Sequence, residues 1–282
     1  MAIICISLAV LSGVYIGHKT EYIVTETWEQ KGSYRNGYLL NFALSVRDSF
    51  IAEPDGYSEE VISELEDQYS GDGESYVNQH VEKNPTIIVV MSESYADLSV
   101  VGDFLTNEQV TPYYDSLQDN IMKGHALSSV FGAKTPNSEW EYMTGNSMAF
   151  FPNGSVPYLQ YIRDGISTIV PQLEEYGYTT YGTHPYRAKG WNREFIYDLM
   201  GFDYRYFQGS FPFEDKLRNY VSDEADFKSI LEWRNNTEGP FFMFNVTMQN
   251  HSNYGGDFDN FDPQIVAKFK NTYSNKYLNK YL

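Results

Sequence analysis

Unbroken apolar runs, more than alternating ones, mark the strands of this chain. Thr86–Met91, TIIVVM, opens after Asn84-Pro85, and Phe241–Met248, FFMFNVTM, opens after Gly239-Pro240. Runs of this kind, bounded by turn residues, predict strands buried on both faces of a parallel sheet. Weaker strand signals fall at His125–Val130 and Tyr178–Thr183. Elsewhere the apolar positions return every three or four residues and predict helices. One spans Gly37–Phe50, with Leu39, Leu40, Ala43, Leu44 and Val46 as its stripe, and ends before Pro54-Asp55-Gly56. A second, Ser58–Tyr69, takes Ser58 as cap and Val61, Ile62 and Leu65 as one face. Others run from Thr111-Pro112 through Leu117, over Ser167–Tyr176, and over Ser222–Asn235, the last buried through Ala225, Phe227, Ile230 and Leu231. Ser70–Asn84, with Gly71, Asp72 and Gly73, reads as a linker, and Gly255–Asp262 as an acidic loop. Phe269–Leu282 begins a helix-like run with Tyr273, Tyr277 and Tyr281 at a spacing of four. Strands alternating with helices predict an α/β domain with a mostly parallel central sheet and helices on both faces.

Polar groups follow the strands, where open α/β sheets hold their ligands. Ser92-Glu93-Ser94 follows the first run, and Glu93 reads either as a metal ligand or base, or as a loop acid bonded to neighbouring backbone. Phe131–Phe150, FGAKTPNSEWEYMTGNSMAF, starts a helix at Thr135-Pro136. With Thr135 as N-cap, Pro136 at the first helical position costs no hydrogen bond, and free backbone N–H groups face the hydroxyl. Thr135 is thus an ordinary cap or an activated hydroxyl. His184-Pro185 ends another strand and leads into a loop over residues 186–202, where Arg187, Lys189, Trp191 and Arg193 cluster in a protein with only 20 basic residues. Such a cluster suits a phosphate or sulfate group, and equally a surface loop whose cations pair with nearby acids. Gln249-Asn250-His251 follows the last strand, and His251 reads as an acid, base or ligand, or as a structural histidine.

Composition narrows the chemistry. A formal net charge of −18 over 282 residues excludes nucleic acid as partner, since phosphate backbones need a basic footprint. The excess of carboxylates suits divalent cations better than polyanions. A single cysteine, Cys5, excludes a disulfide framework and a cysteine-based zinc site. Met1–Gly17 is apolar yet shorter than the roughly 20 residues that cross a bilayer. It reads as the trailing end of a transmembrane helix, an uncleaved anchor or a buried helix; the polar exit at His18 and Lys19 favours the first.

The order TIIVVMSES, FGAKTPNSEWEYMTGNSMAF, THPY with GWNR, and NVTMQNH resembles the lipoteichoic-acid-synthase-like branch of the alkaline phosphatase and sulfatase superfamily. The resemblance covers about Pro85 to His251. It implies an alkaline phosphatase-like α/β sandwich, with residues 1–17 ending a transmembrane helix, 18–84 membrane-proximal and 85–282 catalytic. It implies a membrane-anchored phosphoglycerol transferase with its catalytic domain outside the cytoplasm, acting on phosphatidylglycerol through a phospho-threonine-type intermediate and passing the group to a glycerol-phosphate or glycolipid acceptor. Carried across, the metal-binding glutamate falls on Glu93 and the nucleophile, also a metal ligand, on Thr135. The head-group contacts fall on His184, Trp191, Arg193 and His251. The implied cofactor is one divalent cation, Mn²⁺ or Mg²⁺.

Family members complete the metal site with an Asp-His pair, and this sequence has no such dipeptide. The expectation is therefore a piece truncated at both ends, with an incomplete sandwich, half a metal site and little activity of its own. Sulfatases proper carry Cys or Ser followed by x-Pro-x-Arg, whereas this chain has Thr135-Pro136-Asn137-Ser138. The alternatives are a phosphodiesterase of the same superfamily and a non-catalytic envelope module that binds a phosphorylated polyol.

Overall fold

The structure is a computed structural model and describes residues 30–47, 50–51, 53–77, 84–97, 105–130, 132–152, 154–163, 166–252 and 254–268. The expectations for Met1–Gly17 and Phe269–Leu282 lie outside the described residues. The chain forms two compact units, Met1–Lys83 with Ser129–Arg163, and Asn84–Ser128 with Asp164–Leu282.

In the first unit the helix Gln30–Arg47 breaks at Gly37 (φ 72°, ψ 163°), a geometry only glycine adopts readily. Of its expected stripe only Leu44 is buried; Leu39 and Val46 are exposed. The helix Glu59–Val77 starts as expected, with the Val61 N–H donated to Ser58 Oγ at 3.2 Å. It then continues through Gly71 and Gly73, where a linker is expected. A glycine costs a helix only about 1 kcal/mol, and no proline stops this one.

The helix Thr135–Thr144 differs from expectation by one position. Lys134 is the N-cap, in the left-handed region (φ 56°, ψ 43°) and without a side-chain cap bond, so Thr135 is the first helical residue. Gly132, Ala133 and Lys134 are left-handed in succession (φ 67°, 52° and 56°). The helix buries Pro136, Asn137, Glu139, Trp140 and Met143. The Trp140 ring meets Phe151 edge-on at 5.0 Å, and the Asn137 amide donates to the Ser155 carbonyl at 2.9 Å. Gly145 (φ 71°) closes the helix by donating its N–H to Glu141 O.

The second unit holds the sheet. Its strands are β1 (Ile87–Met91), β2 (Leu105–Thr106), β3 (Thr179–His184), β4 (Tyr204–Phe207), β5 (Lys216–Leu217), β6 (Tyr220–Val221), β7 (Phe241–Val246) and β8 (Ala267–Lys268). Four of them form a parallel sheet in the order β1-β7-β3-β4; β2 with β8 and β5 with β6 are short antiparallel ladders. β7 is buried at every position, as its unbroken run predicts. β1 departs from that pattern. It lies at the edge, and Ile88 and Val90, which share the face of Met243 and Asn245, are each 40% exposed. His125–Val130 forms no strand, and Leu127 is 99% exposed; its two serines interrupt the apolar run.

Helices pack on both faces. On one face Tyr181, Phe241 and Met243 meet Ile230, with Tyr206 and Trp233 against them, the last two stacked at 4.7 Å. Ile230 and Trp233 belong to the helix Asp223–Asn235, capped by Ser222 Oγ, which accepts the Ala225 N–H at 3.1 Å. Its buried face is turned from the expected one: Asp226 and Ser229 lie inside, Phe227 and Leu231 outside. On the other face the helix Arg193–Leu199, in the stretch expected to be a loop, buries Ile196 and Tyr197. There the backbone of Gly182 meets two rings directly. An added Cβ would lie 2.8 Å from Phe202 Cδ2 and 2.9 Å from Tyr197 Cδ2.

Candidate active site

Parallel strands bring their carboxyl ends to one edge. Thr247, one residue beyond β7, ties that strand to β1, donating its N–H to Met91 O at 3.0 Å and accepting the Glu93 N–H on Oγ1 at 3.1 Å. So anchored, Glu93 Oε1 lies 3.9 Å from His251 Nε2, the carboxylate nearly buried and the imidazole half-exposed. His251 Nδ1 is 2.7 Å from the Ser252 carbonyl. A carbonyl only accepts, so Nδ1 carries the proton and Nε2 faces Glu93. Tyr220 Oη, which donates to the same carbonyl at 2.8 Å, lies 3.3 Å from Nδ1.

His184 ends β3 and is 1% exposed. Its Nδ1 donates to the Val246 carbonyl at 2.8 Å. Burial first, and then the Arg193 charge, hold its pKa well below the usual histidine range, opposed in part by the Val246 bond. The ring is neutral at physiological pH, with Nε2 a hydrogen-bond acceptor. Rings link the two histidines: His184 to Tyr186 at 6.2 Å, Tyr186 to Tyr220 at 5.8 Å, and Tyr220 to His251 at 5.5 Å.

Arg193 is 2% exposed at the start of its helix, held there by Trp191 and Asn192, both left-handed (φ 54° and 61°). The expected basic cluster therefore splits. Arg193 goes inside and Trp191 is half-buried, while Arg187 and Lys189 stay at the surface. Strained non-glycine backbone persists only where the surroundings over-determine it. Here it adjoins Glu93 at Ser94 (φ 61°), Thr135 at Lys134, and Arg193 at Asn192. Glu93, His184, Arg193 and His251 thus share the carboxyl edge of one sheet. Thr135 is the half-buried first residue of its helix in the other unit.

Sequence reasoning missed Tyr220 and Thr247. Tyr220 is one of 25 tyrosines, with no pattern to single it out; Thr247 sits inside an apolar run, where its hydroxyl was the available signal. Also missed is a buried polar line behind the edge. The Thr183 hydroxyl donates to Asn245 Oδ1 at 2.7 Å, and the Asn245 amide donates to Asp226 Oδ2 at 2.9 Å.

The sulfatase family model matches residues 85–282. The chain belongs to the sulfatase family. This sulfatase-family chain is 31% identical over 260 residues to a putative cyclic beta-1,2-glucan modification protein of Rhizobium meliloti (strain 1021), a match covering 88% of the chain and 39% of that relative. The Streptococcus pyogenes phosphoglycerol transferase GacH, solved in complex with sn-glycerol-1-phosphate, superposes with a TM-score of 0.69 at 25% identity, over 82% of this chain and 62% of that one. Lipoteichoic acid synthase 2 of Bacillus subtilis (strain 168) is 24% identical over 177 residues, 61% of the chain and 26% of that relative. The chain thus spans well under two thirds of the curated relatives' lengths. The α/β fold with a parallel central sheet and the family resemblance of the sequence both hold.

A divalent ion needs more than this edge provides. Hard cations take six or more oxygen ligands, or a few with retained water. Among the described residues no group of three or more His, Cys, Asp or Glu side chains could hold a metal, and Glu93 faces one imidazole. That donor set is too small for the implied Mn²⁺ or Mg²⁺, and no step below runs through a metal. No helix of the described residues is long and apolar enough to cross a membrane.

Proposed function

We propose that the chain is the catalytic part of a phosphoglycerol transferase of the cell envelope, anchored at the membrane and acting outside the cytoplasm. The observation that carries this reading is the pairing of a buried guanidinium, Arg193, with a neutral buried imidazole, His184, at the carboxyl edge of a sulfatase-family sheet. A guanidinium presents planar donors to phosphoryl oxygens, and a neutral imidazole nitrogen accepts from an alcohol. Together they match the two ends of a glycerol phosphate group, and the likeness to GacH supports the same ligand. Trp191 and His251 complete the contacts to it, and Glu93 faces His251 beside them.

Thr135 is the proposed nucleophile, acting on phosphatidylglycerol. Its Oγ bonds to phosphorus as the bond to the diacylglycerol oxygen breaks, and the hydroxyl proton leaves with diacylglycerol. An acceptor alcohol then takes the glycerophosphoryl group from Thr135 and returns a proton to its oxygen. The acceptor is a hydroxyl of a glycerol phosphate chain or a glycolipid; the Rhizobium meliloti relative, named for glucan modification, makes a glucan hydroxyl a third candidate.

The test is to incubate the full-length protein with phosphatidylglycerol labelled in its terminal glycerol, quench in acid and map the label by peptide mass spectrometry. A glycerophosphoryl adduct on the peptide holding Thr135, discharged by an added alcohol, is the expected result. Free glycerol phosphate as the sole product would make the protein a phosphodiesterase instead. Binding of glycerol phosphate without any adduct would leave a phospho-polyol-binding module.

A further inference from the structure

Arg218 is a second guanidinium near this edge that nothing above uses. It is 7% exposed, in a left-handed backbone conformation (φ 56°), on the turn between β5 and β6. One of its nitrogens, Nη2, donates to the carbonyl of Gln249, two residues before His251. The guanidinium lies over the Tyr254 ring, 5.1 Å from its centroid. Its other terminal nitrogen, Nη1, is buried with no hydrogen-bond partner, and no carboxylate of the described residues pairs with it. The asymmetry is pronounced, because this protein carries 38 acidic side chains against 20 basic ones.

Leaving a charged group buried without a counter-charge is strongly unfavourable, and an unmet donor adds to the penalty. A carbonyl and an aromatic face offset only part of it. The position of Arg218 is also tied to the candidate site, since Tyr220, two residues on, contacts His251, and Gln249 precedes it on the same turn. The backbone is fixed there as well: the Asn260 amide donates to the carbonyls of Lys216 and Arg218 at 3.0 and 3.2 Å.

We propose that Arg218 is a further anion-binding residue of this edge, its free guanidinium nitrogen taking an oxygen of the phosphate group that the proposed function assigns to the ligand. The inference rests on that reading and extends it. Arg218 adds a second buried cation to the edge that holds Arg193. A second guanidinium favours a phosphorylated polyol over the neutral polyol.

Binding of sn-glycerol-1-phosphate, inorganic phosphate and glycerol to the protein, followed by calorimetry and by thermal shift, tests this for the wild type, Arg218→Met, Arg218→Lys and Arg193→Met. Arg218→Met is expected to weaken glycerol phosphate and inorganic phosphate by roughly tenfold to hundredfold, the scale of one charge-assisted bond, and to leave glycerol unchanged. Arg218→Lys should recover part of the loss. Without ligand, Arg218→Met should melt no lower than the wild type, because an unpaired buried charge has gone. A purely structural Arg218 gives the reverse, a lower melting temperature with unchanged anion affinity, and would overturn the inference. Loss of phosphate binding in Arg193→Met but not in Arg218→Met would sink this inference alone. A wild type that binds no glycerol phosphate would sink the proposed function with it.

Discussion

His184 gives its Nδ1 proton to the carbonyl of Val246 across 2.8 Å, so that β7 fixes which nitrogen of a β3 side chain faces the ligand. Asparagine places an amide nitrogen near the Nδ1 position and nothing near Nε2. His184→Asn should therefore keep the β3–β7 bond and lose only the acceptor. We expect glycerol phosphate binding to fall by about 1–3 kcal/mol, with stability changed by less than that. A large drop in melting temperature with intact binding would show that the ring matters for packing instead.

Gly182 faces Tyr197 and Phe202 with no room for a side chain. A methyl group there would sit at 2.8 and 2.9 Å from ring carbons of two buried residues. Gly182→Ala should destabilise the second unit by about 1–3 kcal/mol, the cost of overpacking, measurable by denaturant titration. A neutral effect would mean that the Arg193–Leu199 helix shifts easily, and Arg193 with it.

Thr135 opens its helix, and Lys134 caps it without a side-chain bond. Replacing a capping threonine by alanine costs about 1 kcal/mol, whereas the first helical position tolerates alanine. Thr135→Ala should change stability by less than about 1 kcal/mol and abolish the covalent adduct, and Thr135→Ser should restore some of it. An undiminished adduct in Thr135→Ala would exclude the residue as nucleophile.

The family resemblance and three strands of the main sheet, β1, β3 and β7, were legible, the clearest from unbroken runs set off by turn residues, as in Phe241–Val246; β4 was not marked, and His125–Val130 forms no strand. Helix faces were less so. In Asp223–Asn235 the apolar residues Phe227 and Leu231 point outward, because Asp226 and Ser229 are held inside by bonds to Asn245 and to the Phe213 backbone. A hydrophobic count cannot detect that. Arg193 shows the same limit: its loop could be read as a cation cluster, but only two left-handed residues, Trp191 and Asn192, turn this one cation inward. The one-residue error at Thr135 has a similar origin, since nothing in Ala133-Lys134 signals left-handed backbone.

Asp226 makes the fold's response to pH a specific prediction. Burial, with the charge of Asp223 added and the Asn245 bond opposing, raises its pKa to about 7, and burial raises that of Asp223 to about 6. Unfolded, both titrate near 4. Between those values the folded state binds more protons, so this contribution to stability is complete below about pH 4 and is lost as pH rises through 6 to 7. His184 acts in the opposite sense. Its lowered pKa gives stability that is present above the unfolded value near 6.5 and lost as pH falls below it. The wild-type profile mixes the two, so the comparison must be between wild type and Asp226→Asn. Asparagine keeps an oxygen for the Asn245 amide and cannot ionise. At pH 8 Asp226→Asn should be more stable than the wild type by about 1–3 kcal/mol, and the advantage should shrink steadily as pH falls and vanish only near pH 4. A difference that does not change with pH, followed by urea unfolding at each pH, would mean that Asp226 is already charged in the folded protein and that the Thr183–Asn245–Asp226 line holds a carboxylate.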